Sequence, residues 1–202
     1  MSETATPERL LQGITLTDPN SAKGRLLQQA RLLFRQKGFE KTTVRDIAAA
    51  TGIQSGSIFH HFANKEEILR CVMEETICFS LAHLQEQLKQ ANTTEAELRT
   101  LIGCELDAIH SRHGHDFTIL GYEWRSLNPG NQARVLEYRG VYEKLWSKSL
   151  HDAKAKGLCQ QEGFLLRSFI RGALIDTINW YKAEGELNLE ALADEVYRAF
   201  FR

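Results

Sequence analysis

Gln54, Ser55, Ser57, His60 and His61 place five hydrogen-bonding side chains within eight residues, with Gly56 among them. Serine hydroxyls donate or accept, and a glutamine amide can pair with adenine through two bonds at once. Such groups read DNA only when a helix carries them into a groove, so the flanking elements decide the matter. Thr42 or Thr43 can cap the start of a first helix, in which Val44, Ile47, Ala48 and Thr51 repeat at three- and four-residue steps. Gly52 suits the left-handed close of that helix. Ile53 fills the corner, and residues 54–62 supply a second helix with Ile58 and Phe62 facing inward. Asn64 caps a third helix, with Lys65, Glu66 and Glu67 in its first turn. The pattern predicts a helix-turn-helix whose second helix enters the DNA major groove.

Residues 42–69, TTVRDIAAATGIQSGSIFHHFANKEEIL, also resemble the TetR family of transcriptional regulators. The match runs through Thr43, Ile47, Ala48, Thr51, Gly52, Ile53, Gly56, Ile58, His61, Phe62, Lys65, Glu66 and Ile68. Two positions depart from the family pattern. Gln54 replaces a capping serine, and Phe59 replaces a tyrosine whose hydroxyl would reach a phosphate. The resemblance implies that Gln54, Ser55, Gly56, Ser57 and His60 face base edges, with Phe59 against a thymine methyl or a sugar. It gives Thr43, His61 and Lys65 to phosphates, together with the N-terminus of the third helix. For His60 and His61 the alternative is plain surface exposure; Ile58 and Phe62 are read as core.

The 202 residues include only three prolines and 14 glycines, with 43% apolar and 25% charged residues. Long stretches rich in Leu, Ala, Glu, Lys, Gln and Arg predict an all-α protein. Net charge is −1, but residues 20–65 hold eight basic side chains against two acidic ones, a net +6 that leaves −7 elsewhere. A basic headpiece on an acidic body is the layout expected of a DNA-binding domain carried by a sensor. Cys71, Cys78, Cys104 and Cys159 lack CxxC spacing and read as reduced core thiols. Residues 1–20 contain no apolar run, and no segment reaches the length that spans a bilayer. A soluble cytoplasmic protein with no membrane partner is expected.

Periodicity predicts about nine helices in three regions. Residues 1–20 form a mobile arm, 21–67 the helix-turn-helix domain, and 68–202 a sensing and dimerisation domain. Thr94 with Glu97 suggests a capping box, and Asn128-Pro129-Gly130 the strongest helix stop, with the next helix beginning at Asn131. A helix over 162–183 carries apolar residues around a wide arc that includes Phe164, Leu165, Ile175 and Trp180. Burial within one chain would account for that arc, as would a homodimer; we favour a C2 dimer in which this helix and the one over 189–201 pair with their twins. Two recognition helices would then lie about 34–36 Å apart and require a palindromic operator on double-stranded DNA.

Phe117, Tyr122, Trp124, Tyr138, Tyr142, Trp146, Phe169 and Trp180 suit a cavity for a small, largely apolar effector, although each alone can be ordinary core. YEWRSL at 122–127 and NWYKAEGEL at 179–187 resemble TetR regulators that answer to acyl-CoA thioesters, which would turn Arg125, Arg139 or Lys182 toward a phosphate or carboxylate. A fatty acid, a drug or an aromatic inducer of an efflux or degradation operon are the alternatives. Asp107, His110, His113 and His115, near Cys104, have metal-ligand chemistry, but Gly114 interrupts their helix and a helix-end histidine group needs no metal. No metal and no cofactor is expected. Neither a Gly-rich phosphate loop nor a nucleophile elbow nor a paired-carboxylate pattern supports an enzyme. A helical protein-interaction module is the third possibility. The expected function is a TetR-type repressor, repression being the family's habit.

Overall fold

Thr43 and Asp46 exchange hydrogen bonds at the start of the helix-turn-helix. The Asp46 N–H donates to Thr43 Oγ1 (3.1 Å) and the Thr43 N–H to Asp46 Oδ2 (2.9 Å). Thr43 is therefore the cap, and the buried Thr42 instead donates its hydroxyl to the Gly38 carbonyl at 2.8 Å. These details come from a computed structural model that describes residues 16–110, 117–161 and 163–202.

Nine α-helices occur among the described residues, with no strand: α1 (Ala22–Lys37), α2 (Val44–Thr51), α3 (Ser55–Ile58), α4 (Lys65–Leu88), α5 (Thr94–Ile109), α6 (Thr118–Tyr122), α7 (Pro129–Ala155), α8 (Gly163–Trp180) and α9 (Leu189–Phe200). A 3-10 turn at Trp124–Ser126 follows α6. The all-α expectation holds.

The described chain divides into two compact units. The first contains the residues through Cys78 together with Ile119–Arg139; the second contains those of Phe79–Thr118 and Gly140–Arg202. Helices α4 and α7 each contribute to both. In the first unit α1 packs on α2 and α2 on α3 around Leu26, Leu27, Ala30, Phe34, Ile47, Ile58 and Phe62. The periodicity of α4 predicts a buried stripe of Ile68, Val72, Thr76 and Phe79; the first three are buried and Phe79 is half-buried, while Leu69, Met73 and Ile77 are buried as well. Apolar residues on more than one face mean that α4 is packed on several sides. In the second unit α5, α8 and α9 pack on one another, with Leu98, Leu101, Ile102, Leu106 and Ile109 forming the inward stripe of α5.

Three element ends differ from the sequence reading. The cap of α5 is Thr93, whose hydroxyl accepts the Ala96 N–H at 3.1 Å, and Thr94 lies buried inside the helix. The segment ahead of the Asn128-Pro129-Gly130 stop is not one continuous helix but the short α6 and the 3-10 turn. Helix α7 begins at Pro129, earlier than Asn131: Asn128 Oδ1 accepts the Asn131 N–H at 2.9 Å, so Asn128 caps it with proline in the first turn, where a missing N–H costs nothing.

Candidate nucleic-acid interface and family

The turn between α2 and α3 is tight. Gly52 takes φ 73°, and its N–H and that of Ile53 close the last turn of α2 on the carbonyls of Ala49 and Ala48. Gln54 occupies the cap position of α3 and makes no side-chain cap bond, as its poor capping chemistry predicts. The residue is exposed. Ile58 and Phe62 anchor α3 in the core.

None of the residues assigned to DNA is buried. Thr43, Gln54, Gly56, Phe59, His60 and His61 are exposed, and Ser55, Ser57 and Lys65 half-buried. Phe59 is a large apolar side chain that is 56% exposed. The Thr43 hydroxyl accepts the Asp46 N–H and lies beside the Asp46 carboxylate. Asp46 is held below the usual carboxylate range by the Thr43 N–H and hydroxyl, with Lys37 nearby at 3.8 Å, so the box stays ionised and intact at neutral pH.

Asn64 Oδ1 accepts the Glu67 N–H (2.8 Å), and Glu67 Oε2 accepts the Ala63 N–H (2.7 Å), which fixes the start of α4. Lys65 behind it is more engaged than a phosphate anchor needs to be. Its ammonium donates to the carbonyls of Phe39 and Thr42. Sequence reasoning missed the other two groups of this corner: Glu123 Oε1 accepts the Phe39 N–H at 3.0 Å, and Glu66 Oε1 accepts the Asn128 N–H and an Asn131 Nδ2–H, both at 2.7 Å. The two N–H groups hold the Glu66 carboxyl below its ordinary value.

The eight aromatics proposed for the effector are distributed over both units. Tyr122, Trp124 and Tyr138 belong to the first unit and Phe117, Tyr142, Trp146, Phe169 and Trp180 to the second. Phe117 meets Tyr142 edge-on at 5.2 Å between ring centres. Tyr142 and Trp146 are buried; Phe169 and Trp180 are 56% and 51% exposed on α8. Beside Tyr142 lies a buried ionic cluster. Arg167 of α8 donates to both oxygens of Glu105 on α5 (2.9 Å at the shortest) and to Glu143 on α7 (2.8 Å), and stacks 4.2 Å from the Trp146 ring. The Tyr142 hydroxyl donates to Glu105 Oε2 at 3.3 Å. Burial pushes the Glu105 carboxyl up against the pull of Arg167, and burial with the Glu105 charge pushes the Tyr142 phenol up further. The signal for Glu105 was present in the sequence: it sits at an inward position of the α5 stripe.

Of the metal-type residues, His113 and His115 lie outside the described residues. His110 Nε2 is 2.8 Å from Thr177 Oγ1, and its ring packs on Tyr181. Among the described residues no three His, Cys, Asp or Glu side chains are grouped to hold a metal. Burial pushes the thiols of Cys78 and Cys104 up to about 12, which fits core residues.

A family model described as bacterial regulatory proteins, tetR family, matches residues 26–72, and a tetracyclin repressor-like C-terminal domain model matches residues 91–202. The HTH-type transcriptional repressor KstR2 of Mycolicibacterium smegmatis is 31% identical over 184 residues, covering 90% of this chain and 89% of KstR2. The chain belongs to the TetR family.

Solved structures agree on the TetR fold. The ketosteroid transcriptional regulator KstR2 of Mycobacterium tuberculosis superposes with a TM-score of 0.75 at 26% identity, over 91% of this chain and 96% of that one. The structure described as superantigen PfiT superposes with a TM-score of 0.81 at 50% identity, over 92% and 99%. The N-terminal model ends within α4 and the C-terminal model begins just before α5, so the TetR match spans both the helix-turn-helix and the helices around Glu105 and Arg167. None of the described helices is long and apolar enough to cross a membrane.

Proposed function

We propose that this TetR-family protein is a repressor that binds a palindromic operator as a homodimer and leaves it when a small, largely apolar effector binds. The observation that carries the reading is the α2–α3 geometry: an intact Thr43–Asp46 box, a left-handed Gly52, and Gln54, Gly56, Phe59 and His60 exposed beside a buried Ile58. In this reading Gln54, Ser55, Gly56, Ser57 and His60 face bases, Phe59 a thymine methyl or sugar, and Thr43, His61 and Lys65 phosphates. Residues 21–67 act as the DNA-binding domain and 68–202 as the sensing and dimerisation domain. The exposed apolar residues of α8, Phe164 (81%), Leu165, Phe169, Ile175 and Trp180, support pairing of α8 and α9 with a second copy.

Phe117, Tyr142 and Trp146 are the core of the effector site. The buried Trp146 indole N–H makes no well-formed hydrogen bond among the described residues beyond its approach to the Tyr142 hydroxyl, which gives an apolar ligand one polar anchor. The ketosteroid in the KstR2 name falls in this ligand class, as do fatty acids and acyl-CoA thioesters. Effector binding releases DNA by favouring a conformation with lower operator affinity. The test is to capture sheared genomic DNA on the purified protein and sequence what is retained. A shared palindrome upstream of a few genes supports the reading; no enrichment, with or without a cell extract to supply or remove effector, overturns it. The likeness to PfiT favours a second reading, superantigen activity, for which stimulation of T cells by the purified protein is the check.

A further inference from the structure

Two carboxylates, one from each side, tie the headpiece to the two ends of the 3-10 turn before α7. Glu123, just before that turn, accepts the N–H of Phe39 at the corner between α1 and α2 (3.0 Å), while its other oxygen takes the Ser126 hydroxyl (3.2 Å). Glu66, in the first turn of α4, reaches the α7 cap and takes the Asn128 N–H and the Asn131 amide. Arg134, one turn further along α7, pairs with Glu74 of α4 at 3.5 Å. The grips lie far apart in sequence, and each satisfies a backbone N–H that a turn leaves without a helical partner.

Helix α7 then runs without interruption to Ala155 and carries Tyr142 and Trp146. From Asn131 to Tyr142 is eleven residues, about 16 Å of helix at 1.5 Å per residue. A helix moves as a rod, so an ångström-scale slide or tilt forced at Tyr142 also arrives at Asn128 and Asn131. Hydrogen bonds of 2.7 Å do not survive such a shift, because they weaken steeply with distance and angle.

We propose that Glu66 and Glu123 are positioning residues that latch the helix-turn-helix to the start of α7, and that coupling between the DNA-reading face and Tyr142–Trp146 passes through these two carboxylates. The proposal rests on the regulator reading above and adds which residues transmit. Coupling between two sites is reciprocal, so it can be read from the DNA side without knowing the effector.

The experiment follows amide hydrogen exchange of the full chain, alone and saturated with the duplex enriched by genomic capture. In the native protein the duplex slows exchange over residues 44–62 and, through the latch, over residues 140–150, by about fivefold or more at the remote segment. In Glu66→Ala/Glu123→Ala the protection at 44–62 remains and that at 140–150 is lost. Glu66→Gln/Glu123→Gln retains both, because an amide oxygen still accepts the same N–H groups, and this pair guards against a double alanine variant that does not fold. Full protection of 140–150 in the alanine variant overturns the latch. So does its absence in native protein that is protected at 44–62. Absence of protection at 44–62 in the native protein speaks instead against DNA binding, and the latch falls with it.

Discussion

The Lys65 ammonium lies 4.0 Å from the centre of the Phe39 ring and donates to the Phe39 carbonyl at 2.8 Å, with a second bond of 2.9 Å to the Thr42 carbonyl. The first residue of α4 thereby closes the corner between α1 and α2. The same corner receives the Glu123 carboxylate on the Phe39 N–H, so one residue is held from two sides by opposite charges. The corner sets where α2 begins, and through α2 where α3 points.

Lys65→Met keeps most of the aliphatic stem and removes the charge. Hydrogen bonds to a charged donor contribute about 1.5–3 kcal/mol each, and solvent access lowers that, so a loss near 2 kcal/mol is expected in urea unfolding. DNA affinity should fall alike for all sequences, and the slope of log affinity against log salt should shrink by about one. An unchanged slope would leave Lys65 a structural clasp without a phosphate contact.

The α8 face offers a cleaner separation of assembly from folding. Phe169→Glu changes a half-exposed apolar side chain that is not part of the Leu166, Ile170 and Leu174 core row. The variant should melt near the native temperature yet sediment as a monomer. Its operator affinity should drop by about a hundredfold or more, since the second half-site contact is no longer intramolecular. A dimer that persists would move the interface elsewhere.

Arg167 is the neutralising partner of two carboxylates in a buried cluster. Arg167→Met leaves Glu105 and Glu143 facing each other and should cost about 3–5 kcal/mol, whereas Glu105→Gln, which leaves the Arg167–Glu143 pair, should cost less. The pH dependence has a defined sign. The folded value of Glu105 is raised, so its contribution favours the folded state below the ordinary carboxylate value and is lost as pH rises through the folded one. Without Arg167 that rise is larger, so the methionine variant should regain stability between neutral and mildly acid pH, as read from melting curves across that range. A variant whose deficit does not shrink on acidification would contradict this assignment.

Gly24 tests the entry to α1. A Cβ there would lie 2.1 Å from the Asp18 carbonyl oxygen and 2.8 Å from the Pro19 Cα, both backbone atoms that cannot step aside singly. Gly24→Ala must displace the turn that holds the Ser21 cap, at a cost of about 1–3 kcal/mol. Exchange at the Thr17 N–H, which is bonded to Glu75, should accelerate with it.

The fold was legible wherever short-range chemistry decides. Thr43, Gly52, Asn64 and the α5 stripe act through neighbours within one or two turns, and their periodicity carries the signal. Ends failed where two adjacent residues offered the same chemistry, as with Thr93 and Thr94, or where one residue has two meanings. Pro129 stops a preceding helix and equally starts a following one, and only the Asn128 cap decides. The grips of Glu66 and Glu123 join residues more than sixty positions apart, and nothing local marks a carboxylate that will meet a distant N–H. Glu105 could have been found, since a charge on an apolar stripe requires a buried partner. Its partner could not, because nothing local separates Arg167 from Arg171 in the same helix or from cations on other helices.

The central claim is that the exposed face of α3 reads DNA. It is tested most directly by fluorescence anisotropy of the captured palindrome against a scrambled duplex, with native protein and with Gln54→Ala/Ser57→Ala/His60→Ala, over a range of salt. The account predicts that the native protein prefers the palindrome by about a thousandfold, with affinity falling steeply in salt, and that the triple variant keeps the salt dependence while losing most of the preference. Equal binding of both duplexes by the native protein, or an undiminished preference in the variant, would contradict it.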